Sequence, residues 1–195
     1  MKTIQRLLVP LCLLLLLPAT LHAQRYSVGI NAVDILSLGT INAEAGVAVA
    51  QQWSLHVGAE LNPWTWRGGD ASMPLEDRQQ AQLQARQLSL WGGVRWWPWH
   101  VYSGWWAGVD GRYSVYNQGG IFSRATEEGK AYGGGLYGGY SIMLSEWLNL
   151  DLGVGAFGGW KTYTSYACPV CGVITEEGGK VFVVPDARVA IQFIF

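Results

Sequence analysis

The sequence predicts an all-β fold, an eight-stranded antiparallel up-and-down transmembrane β-barrel. Three observations indicate it. Segment after segment alternates large apolar residues with polar residues or glycines, as a strand with two unlike faces does. Every ionisable residue within a predicted strand falls on the face opposite the large apolar side chains. Short and long connections alternate along the chain, so both ends of the mature chain fall on the short-turn side.

Residues 1–23 have the form of a secretory signal peptide for export by the Sec route. Lys2 and Arg6 precede the apolar run Leu11–Leu17, which is shorter than the roughly 20 residues that a membrane helix needs. We therefore expect a signal peptide over 1–23, removed on export, and one outer-membrane barrel domain over 24–195.

The eight strands are assigned from this alternation. Trp53–Leu61 shows it most clearly, because its large apolar residues all have odd numbers and its polar residues and glycine have even ones. The first strand starts at Tyr26 and ends near Asp34. The other seven are predicted at Ala43–Val49, Trp53–Leu61, Leu88–Trp96, Trp105–Val115, Gly133–Ile142, Leu148–Val154 and Arg188–Phe195.

The connections separate into two kinds. Tight turns are predicted at Gln51–Gln52, Pro98–Tyr102 and Ser145–Glu146. Long polar loops are predicted at Thr65–Gln87, Asn117–Lys130 and Cys168–Gly179. Tight turns on the periplasmic side and long external loops are typical of outer-membrane barrels.

The composition favours a membrane protein. Charged residues make up 14% of the chain, against about 25% in a typical soluble domain, and there are 26 glycines and 11 tryptophans. Without Lys2 and Arg6, 11 basic residues remain against 14 acidic ones, a formal net charge of −3. We therefore expect no nucleic-acid partner, and no cofactor is predicted.

The orientation of the two faces decides between a membrane barrel and a soluble ligand-binding barrel. In a soluble barrel the outside would be the face that carries Gly46, Gly58 and Gly93 and few charges, which is a poor aqueous surface. In a narrow eight-stranded lumen the same face fits, because glycines and a compact charged network occupy little space. We therefore predict the apolar face outward, and the soluble barrel stays the alternative.

Seven ionisable residues are predicted to share this lumen as a charge network. They are Glu44, Glu60, Arg95, Asp110, Arg112, Asp151 and Arg188. Their charges nearly balance, as a filled interior requires, because an unpaired buried ion costs several kcal/mol. The alternative is a path for ions or small solutes.

Aromatic residues are predicted to form a girdle at each membrane surface. The girdle residues are Trp53, Trp96, Trp147, Phe193 and Phe195 at the short-turn end and Trp160 at the other. The outer face should therefore contact outer-membrane lipid.

The end of the chain, Arg188–Phe195, looks like the terminal insertion signal of outer-membrane barrels, although Ala190 stands where glycine is usual. This resemblance implies the barrel-insertion machinery as a partner. The mature chain also resembles a family of small secreted proteins from Bacteroidetes-type bacteria, the domain of unknown function numbered 3575. The residues that carry this are Leu61–Trp66, the Trp-rich fourth strand, Gly133–Tyr140 and Cys168–Gly172. The family implies an outer-membrane barrel and supplies no catalytic residues.

Cys168 and Cys171 form the sharpest local motif, Cys-Pro-Val-Cys-Gly. Such a knuckle commonly provides two of four zinc ligands, but a second pair is missing, and only His56 and His100 remain in the mature chain. A disulfide in an oxidising compartment is therefore predicted, and no metal site is. A metal shared with another chain and a free dithiol stay as alternatives.

No enzyme activity is predicted. The alternative is a lipid A-modifying hydrolase or acyltransferase, for which Ser54, His56 and Glu60 form a column on one strand. Ser54 and His56 fall near the periplasmic end, whereas external lipid chemistry needs the other end. The sequence instead favours a structural or surface-interaction role in the outer membrane of a Gram-negative bacterium, with external loops that contact an envelope or surface partner or a ligand.

Overall fold

The fold is all-β, as predicted, and the computed structural model describes residues 25–67, 74, 76–77, 82–120, 125–169 and 171–195. The predicted signal peptide over 1–23 lies outside the described residues. The elements are β1 (Tyr26–Asn31), α1 (Ala32–Leu36), β2 (Ile41–Ala50), β3 (Trp53–Asn62), β4 (Thr65–Arg67), β5 (Gln82–Trp96), β6 (Gly104–Gly119), β7 (Thr126–Ser145), β8 (Leu148–Tyr166) and β9 (Ile174–Ile194).

The strands form one antiparallel sheet whose hydrogen bonds run in a ring. The order is β3-β2-β1-β9-β8-β7-β6-β5-β4, and β3 also pairs with β5 from Trp53↔Trp96 to Asn62↔Gln87. Eight strands therefore follow one another around the ring, and β4 adds three residues beside the start of β5. Within the described residues, no helix is long and apolar enough to cross a membrane.

The described sheet has nine strands, where the sequence predicts eight. The additional strand, β4, lies inside the segment Thr65–Gln87 that is predicted to be a loop, and it places Trp66 opposite Leu83. Three residues are too few to show the alternation that identifies a strand in a sequence. β4 is recognisable only by its pairing with β5.

At the end of the ring away from the tight turns, several strands extend beyond their predicted bounds. β5 begins at Gln82, β6 continues to Gly119, β7 begins at Thr126 and β9 begins at Ile174. The predicted loops over Thr65–Gln87, Asn117–Lys130 and Cys168–Gly179 are therefore wrong over much of their length. These strand ends are polar on both faces, so they lack the contrast between faces that identifies a strand in a sequence.

The first strand is shorter than predicted, because Asn31 ends it and starts α1. The Asn31 side chain accepts hydrogen bonds from Val33 N (3.3 Å), as a helix N-cap, and from Val189 N (3.0 Å). The Asn42 side chain holds the backbone N and O of Asn31, at 2.6 and 2.8 Å. The Asn42 side chain thus replaces a strand partner for Asn31 on the β2 side, and the Asn31 side chain replaces one for Val189, next to the last β1–β9 pair, Asn31↔Ala190.

The two faces of the ring differ in polarity. Large apolar side chains on the outer face are exposed, for example Leu136 at 69% and Val154 at 71%. Ser89, Asp151 and other polar residues on the inner face are buried. The buried apolar cluster is small and lies at the end with the tight turns; it consists of Trp97, Val101, Tyr102, Trp106 and Ile194.

Candidate functional site

Four charged residues meet inside the ring and form a closed network of ion pairs. Arg95 lies 3.0 Å from Glu44 and 3.6 Å from Asp151, and Arg188 lies 2.8 Å from Glu44 and 2.7 Å from Asp151. Each arginine therefore contacts both carboxylates, and the four formal charges cancel. We call these four residues the central network.

The central network depends on closure of the ring. Asp151 and Arg188 come from the neighbouring strands β8 and β9, whereas Glu44 on β2 and Arg95 on β5 reach them across the interior. The remaining acceptor positions are also used: Trp106 Nε1 and Ser141 Oγ donate to Asp151 Oδ1, at 2.6 and 2.9 Å. A buried ionic cluster needs such additional hydrogen bonds to offset its desolvation.

A second charged group lies nearer to the end with the long connections. Arg112 pairs with Asp186 at 3.0 Å, and the Tyr137 hydroxyl donates to the same carboxylate at 3.2 Å. The Arg112 guanidinium also lies over the Trp91 and Phe157 rings, 5.4 and 5.2 Å from their centroids. Arg112 is thus held by one carboxylate and two aromatic rings.

The seven residues predicted as one lumen network thus occupy different environments. Glu60 accepts a hydrogen bond from Gln87, and Asp110 Oδ1 has no hydrogen-bond partner among the described residues. Asp34 and Asp186, which the prediction lacks, complete the acidic side. Asp186 lies two residues before the predicted start of the last strand, and Asp34 lies on a helix that the sequence does not predict.

Asp34 and Asp186 add two carboxyl groups to the formal charges of the seven predicted residues. Three arginines, Arg95, Arg112 and Arg188, share the interior with six carboxylates, those of Asp34, Glu44, Glu60, Asp110, Asp151 and Asp186. The excess of three acids lies around Arg112, outside the neutral central network. Burial, reinforced by the negative charge of Glu60, raises the pKa of Asp34 on α1 from 3.8 to about 6.

The interior is nearly filled around the central network. The space left there, which Glu44, His56 and Trp106 help to line, amounts to about 40 Å³. This volume holds roughly three water molecules, since one water needs about 10 to 15 Å³ measured this way. The space beside the central network is therefore too small for a solute much larger than water.

The column of Ser54, His56 and Glu60 lies on the inner face of β3, where all three side chains are buried. Ser54 Oγ accepts the indole N–H of Trp97 at 3.0 Å, and Nδ1 of His56 has no hydrogen-bond partner among the described residues. Glu60 is engaged by Gln87 instead of by His56. The contact with Trp97 holds the Ser54 side chain in the packed interior.

The six predicted girdle residues are all exposed on the outer face of the ring; they are Trp53, Trp96, Trp147, Trp160, Phe193 and Phe195. Neighbouring strands stack some of them, since the Trp147 and Phe193 ring centroids lie 5.8 Å apart. Tyr26 packs on Phe195 in the same way, at 6.2 Å. The start of β1 and the residue that follows β9 are thus joined by an aromatic contact at the tight-turn end.

The other end of the ring contains a cluster of aromatic and charged side chains, for which the sequence predicts only an aromatic girdle. The Lys161 ammonium lies 2.5 Å from Glu127 and over the rings of Tyr116 and Tyr163. Tyr163 in turn donates to Glu176 on β9. The sequence does not predict the ion pair or the hydrogen bonds of this cluster, because Glu127 and Glu176 lie in segments predicted to be loops.

Cys168 and Cys171 form a disulfide in the β8–β9 connection, with Cα atoms 5.5 Å apart. No group of three or more His, Cys, Asp or Glu side chains suited to a metal is present in the described parts of the chain. The motif therefore closes a short connection and is not combined with further ligands there.

Comparison with known proteins identifies one family. The profile of a protein of unknown function, DUF3575, matches residues 9–195, nearly the whole chain. A search of curated proteins finds no match. This is the same family that the chain resembles through motifs such as Leu61–Trp66 and Cys168–Gly172.

Proposed function

We propose that the chain, which belongs to the DUF3575 family, is a small β-barrel of the outer membrane of a Gram-negative bacterium. In this proposal the ring of strands spans the bilayer and its polar interior is a filled lumen. The role is structural or one of surface interaction, in which the connections at the long-loop end contact an envelope partner or a ligand.

The observation that carries the proposal is the inverted polarity of the ring. Val57, Leu136 and Val154 are exposed on the outside, whereas two arginines and two carboxylates are buried together inside. Water as the outer solvent would leave many large apolar side chains unburied and the charges desolvated. A hydrocarbon environment removes the cost of the exposed apolar side chains, because their surface is then kept out of water.

The filled interior favours a structural role over a conducting one. The neutral central network ties β2, β5, β8 and β9 together across the lumen. Eight strands also enclose only enough space for packed side chains. The barrel is therefore proposed to be rigid and closed at its centre.

The surface-interaction role rests on the long-loop end. β7, β8 and β9 have 20, 19 and 21 residues, whereas a strand needs about 9 to 11 residues to cross a bilayer. Part of each strand therefore projects beyond the bilayer in this proposal, together with the Lys161 and Tyr163 cluster. Aromatic and charged side chains of this kind are suited to contacts with a partner protein or a sugar.

Membrane fractionation and gel mobility test the barrel. We expect the chain in the outer-membrane fraction, at a density different from that of inner-membrane markers. Unboiled samples should migrate faster than boiled ones, because a closed barrel resists dodecyl sulfate until it is heated. Recovery in the soluble periplasmic fraction would contradict the proposal and favour the soluble ligand-binding barrel.

Affinity capture tests the interaction role. The native chain is compared with a variant in which residues 167–173 are replaced by a short turn, and the matched control carries a changed β2–β3 turn at Gln51–Gln52. We expect a copurifying envelope component with the native chain and the control, and its loss from the variant. Equal capture by all three would exclude this connection as the contact.

A further inference from the structure

The ring of strands has a gap between β1 and β9. β8 pairs with β9 from Ile174 to Phe193, but β1 pairs with it only from Ala190 to Ile194. The other edge of β9, from Ile174 to Val189, therefore has no strand partner among the described residues. α1 lies beside this edge, and we call the space between α1 and β9 the seam.

The backbone of β9 presents free groups to the seam. Val189 N points across it, since it donates to the Asn31 side chain at 3.0 Å. In an antiparallel strand, alternate residues direct their backbone N–H and C=O groups to the same edge. The backbone N–H and C=O groups of Val183 and Val181 therefore point to the seam, as those of Val189 do. No hydrogen bond to these backbone groups from across the seam is found within the described chain.

Pro185 lies in the middle of this edge and has no N–H to offer a partner strand. Proline on an edge strand is one of the ways in which proteins keep an edge from pairing. The side chains around it are apolar: Val181 and Val183 are 71% and 72% exposed, and Ile35 and Leu36 of α1 are exposed on the opposite side. Both margins of the seam are thus apolar.

A cavity of about 310 Å³ lies behind the seam. Asp34, Leu38 and Thr40 bound it on the side of α1, and Val184 and Pro185 bound it on the side of β9. In a bilayer, the unpaired backbone groups of a strand edge need partners other than lipid, and such edges occur only where they line a cavity within the protein. The free edge of β9 borders this cavity.

The cavity is acidic. Asp34, Glu60 and Asp186 contribute carboxyl groups to its lining, and its one arginine, Arg112, is already paired with Asp186. The rest of its polar lining includes the amides of Asn62, Gln84, Gln87 and Gln118. Charge complementarity therefore favours a positively charged group.

We propose that the seam is a lateral entrance through which a single-chain amphiphile inserts a cationic head group from the bilayer into this cavity. The head lies near Asp34 and Glu60, and the hydrocarbon chain stays outside, against Val181 and Val183. This inference rests on the proposed membrane location and adds a ligand class to it.

The test uses the protein from residue 24 onward in phosphatidylcholine nanodiscs. Gel mobility first shows whether a folded barrel is present, so failure to insert counts against the membrane location and not against the entrance. Binding of radiolabelled dodecyltrimethylammonium is then measured by equilibrium dialysis, with empty nanodiscs as the blank. We expect saturable binding of one molecule per chain and much weaker binding of dodecyl maltoside and dodecyl sulfate.

Two variants locate the binding. Val184→Trp narrows the entrance and should raise the Kd at least tenfold, whereas Leu136→Trp, on the outer face of β7 and away from the seam, should change it less than twofold. Asp34→Asn removes one negative charge and should raise the Kd by about threefold, as a partly screened charge pair does.

Three results would overturn the proposal. One is a folded barrel that binds no more ammonium probe than empty nanodiscs do. Another is equal affinity for the ammonium, maltoside and sulfate probes, or equal effects of Val184→Trp and Leu136→Trp. The third is a dimer cross-linked through Val183→Cys, because a second chain would then cover the seam.

Discussion

At the scale of single residues, the central network joins four strands, β2, β5, β8 and β9, through ion pairs across the interior. The sequence assigns Glu44, Arg95, Asp151 and Arg188 to one face, because strand parity determines the face. It does not assign partners, because Glu44 meets Arg188 across the interior only when the ring closes. For the same reason, the sequence could not predict that Arg112 would pair with Asp186.

Glu44→Gln should destabilise the protein strongly. The substitution leaves Arg95 and Arg188 with Asp151 as their only carboxylate in the central network. Breaking a buried ion pair from one side costs about 3 to 5 kcal/mol, so we expect a loss of that size in the free energy of unfolding. Urea titration in detergent micelles measures it.

The control for this substitution is Glu177→Gln, at an exposed position on β9. Exposed substitutions of this kind usually change stability by less than about 0.5 kcal/mol. Equal midpoints for the two variants would mean that the central network does not contribute to stability.

Asp34 should make the docking of α1 depend on pH. Its pKa in the folded chain is about 6, above the ordinary value of 3.8, because burial and Glu60 oppose its negative charge. The folded state thus holds the proton more tightly. The resulting stability is fully present below about pH 4 and is lost as the pH rises through about 6.

Hydrogen exchange measures this effect at the amides of Ser37 and Gly39, which donate to Val33 O and Ile35 O. After correction for intrinsic rates, their protection should be greater at about pH 5 than at about pH 7.5. Asp34→Asn should remove the difference. Identical pH profiles for the native chain and the variant would show that another group controls α1.

At the scale of elements, the centres of the strands could be predicted from the sequence but several of their ends could not. Trp53–Leu61 is predicted almost to the residue, because its two faces differ and one of them is buried. β7 begins at Thr126, seven residues before the predicted start at Gly133, since Thr126–Tyr132 is polar or small on both faces. α1 is missed because five residues are too few to show a helical period.

Glycines on the inner face allow large rings to pack inside. A Cβ on Gly139 would lie 2.2 Å from Leu152 O and 2.5 Å from the Trp106 ring. Gly139→Ala should therefore displace Trp106 from Asp151 and destabilise the protein by about 1 to 3 kcal/mol, as overpacking does. Urea unfolding followed by Trp fluorescence measures the loss.

Gly138→Ala is the matched control for this position. A Cβ there meets its nearest atom, Trp106 O, at 3.7 Å, which is an ordinary contact. We expect its stability to equal or slightly exceed that of the native chain, because alanine restricts the unfolded state more than glycine does. A larger loss for Gly138→Ala than for Gly139→Ala would contradict the assignment of the two faces.

At the scale of the whole molecule, the all-β class and the family follow from features spread along the entire chain. Alternation recurs in every predicted strand, and family motifs stand at four separate places, from Leu61–Trp66 to Cys168–Gly172. The total of nine strands could not be predicted in this way, because β4 depends on contact with β5. The gap between β1 and β9 depends likewise on two side chains, those of Asn31 and Asn42.

Lipid contact of the outer face is the central claim, and nitroxide accessibility tests it most directly. Single cysteines replace Val57, Leu136 or Val154 in a chain with Cys168→Ser and Cys171→Ser, reconstituted in vesicles, and Glu177→Cys marks the aqueous side. The account predicts that spin labels at the first three positions collide with oxygen and not with a water-soluble nickel complex, whereas the label at 177 collides with the nickel complex. Nickel access at all four positions, in a protein that stays dissolved without detergent, would contradict it.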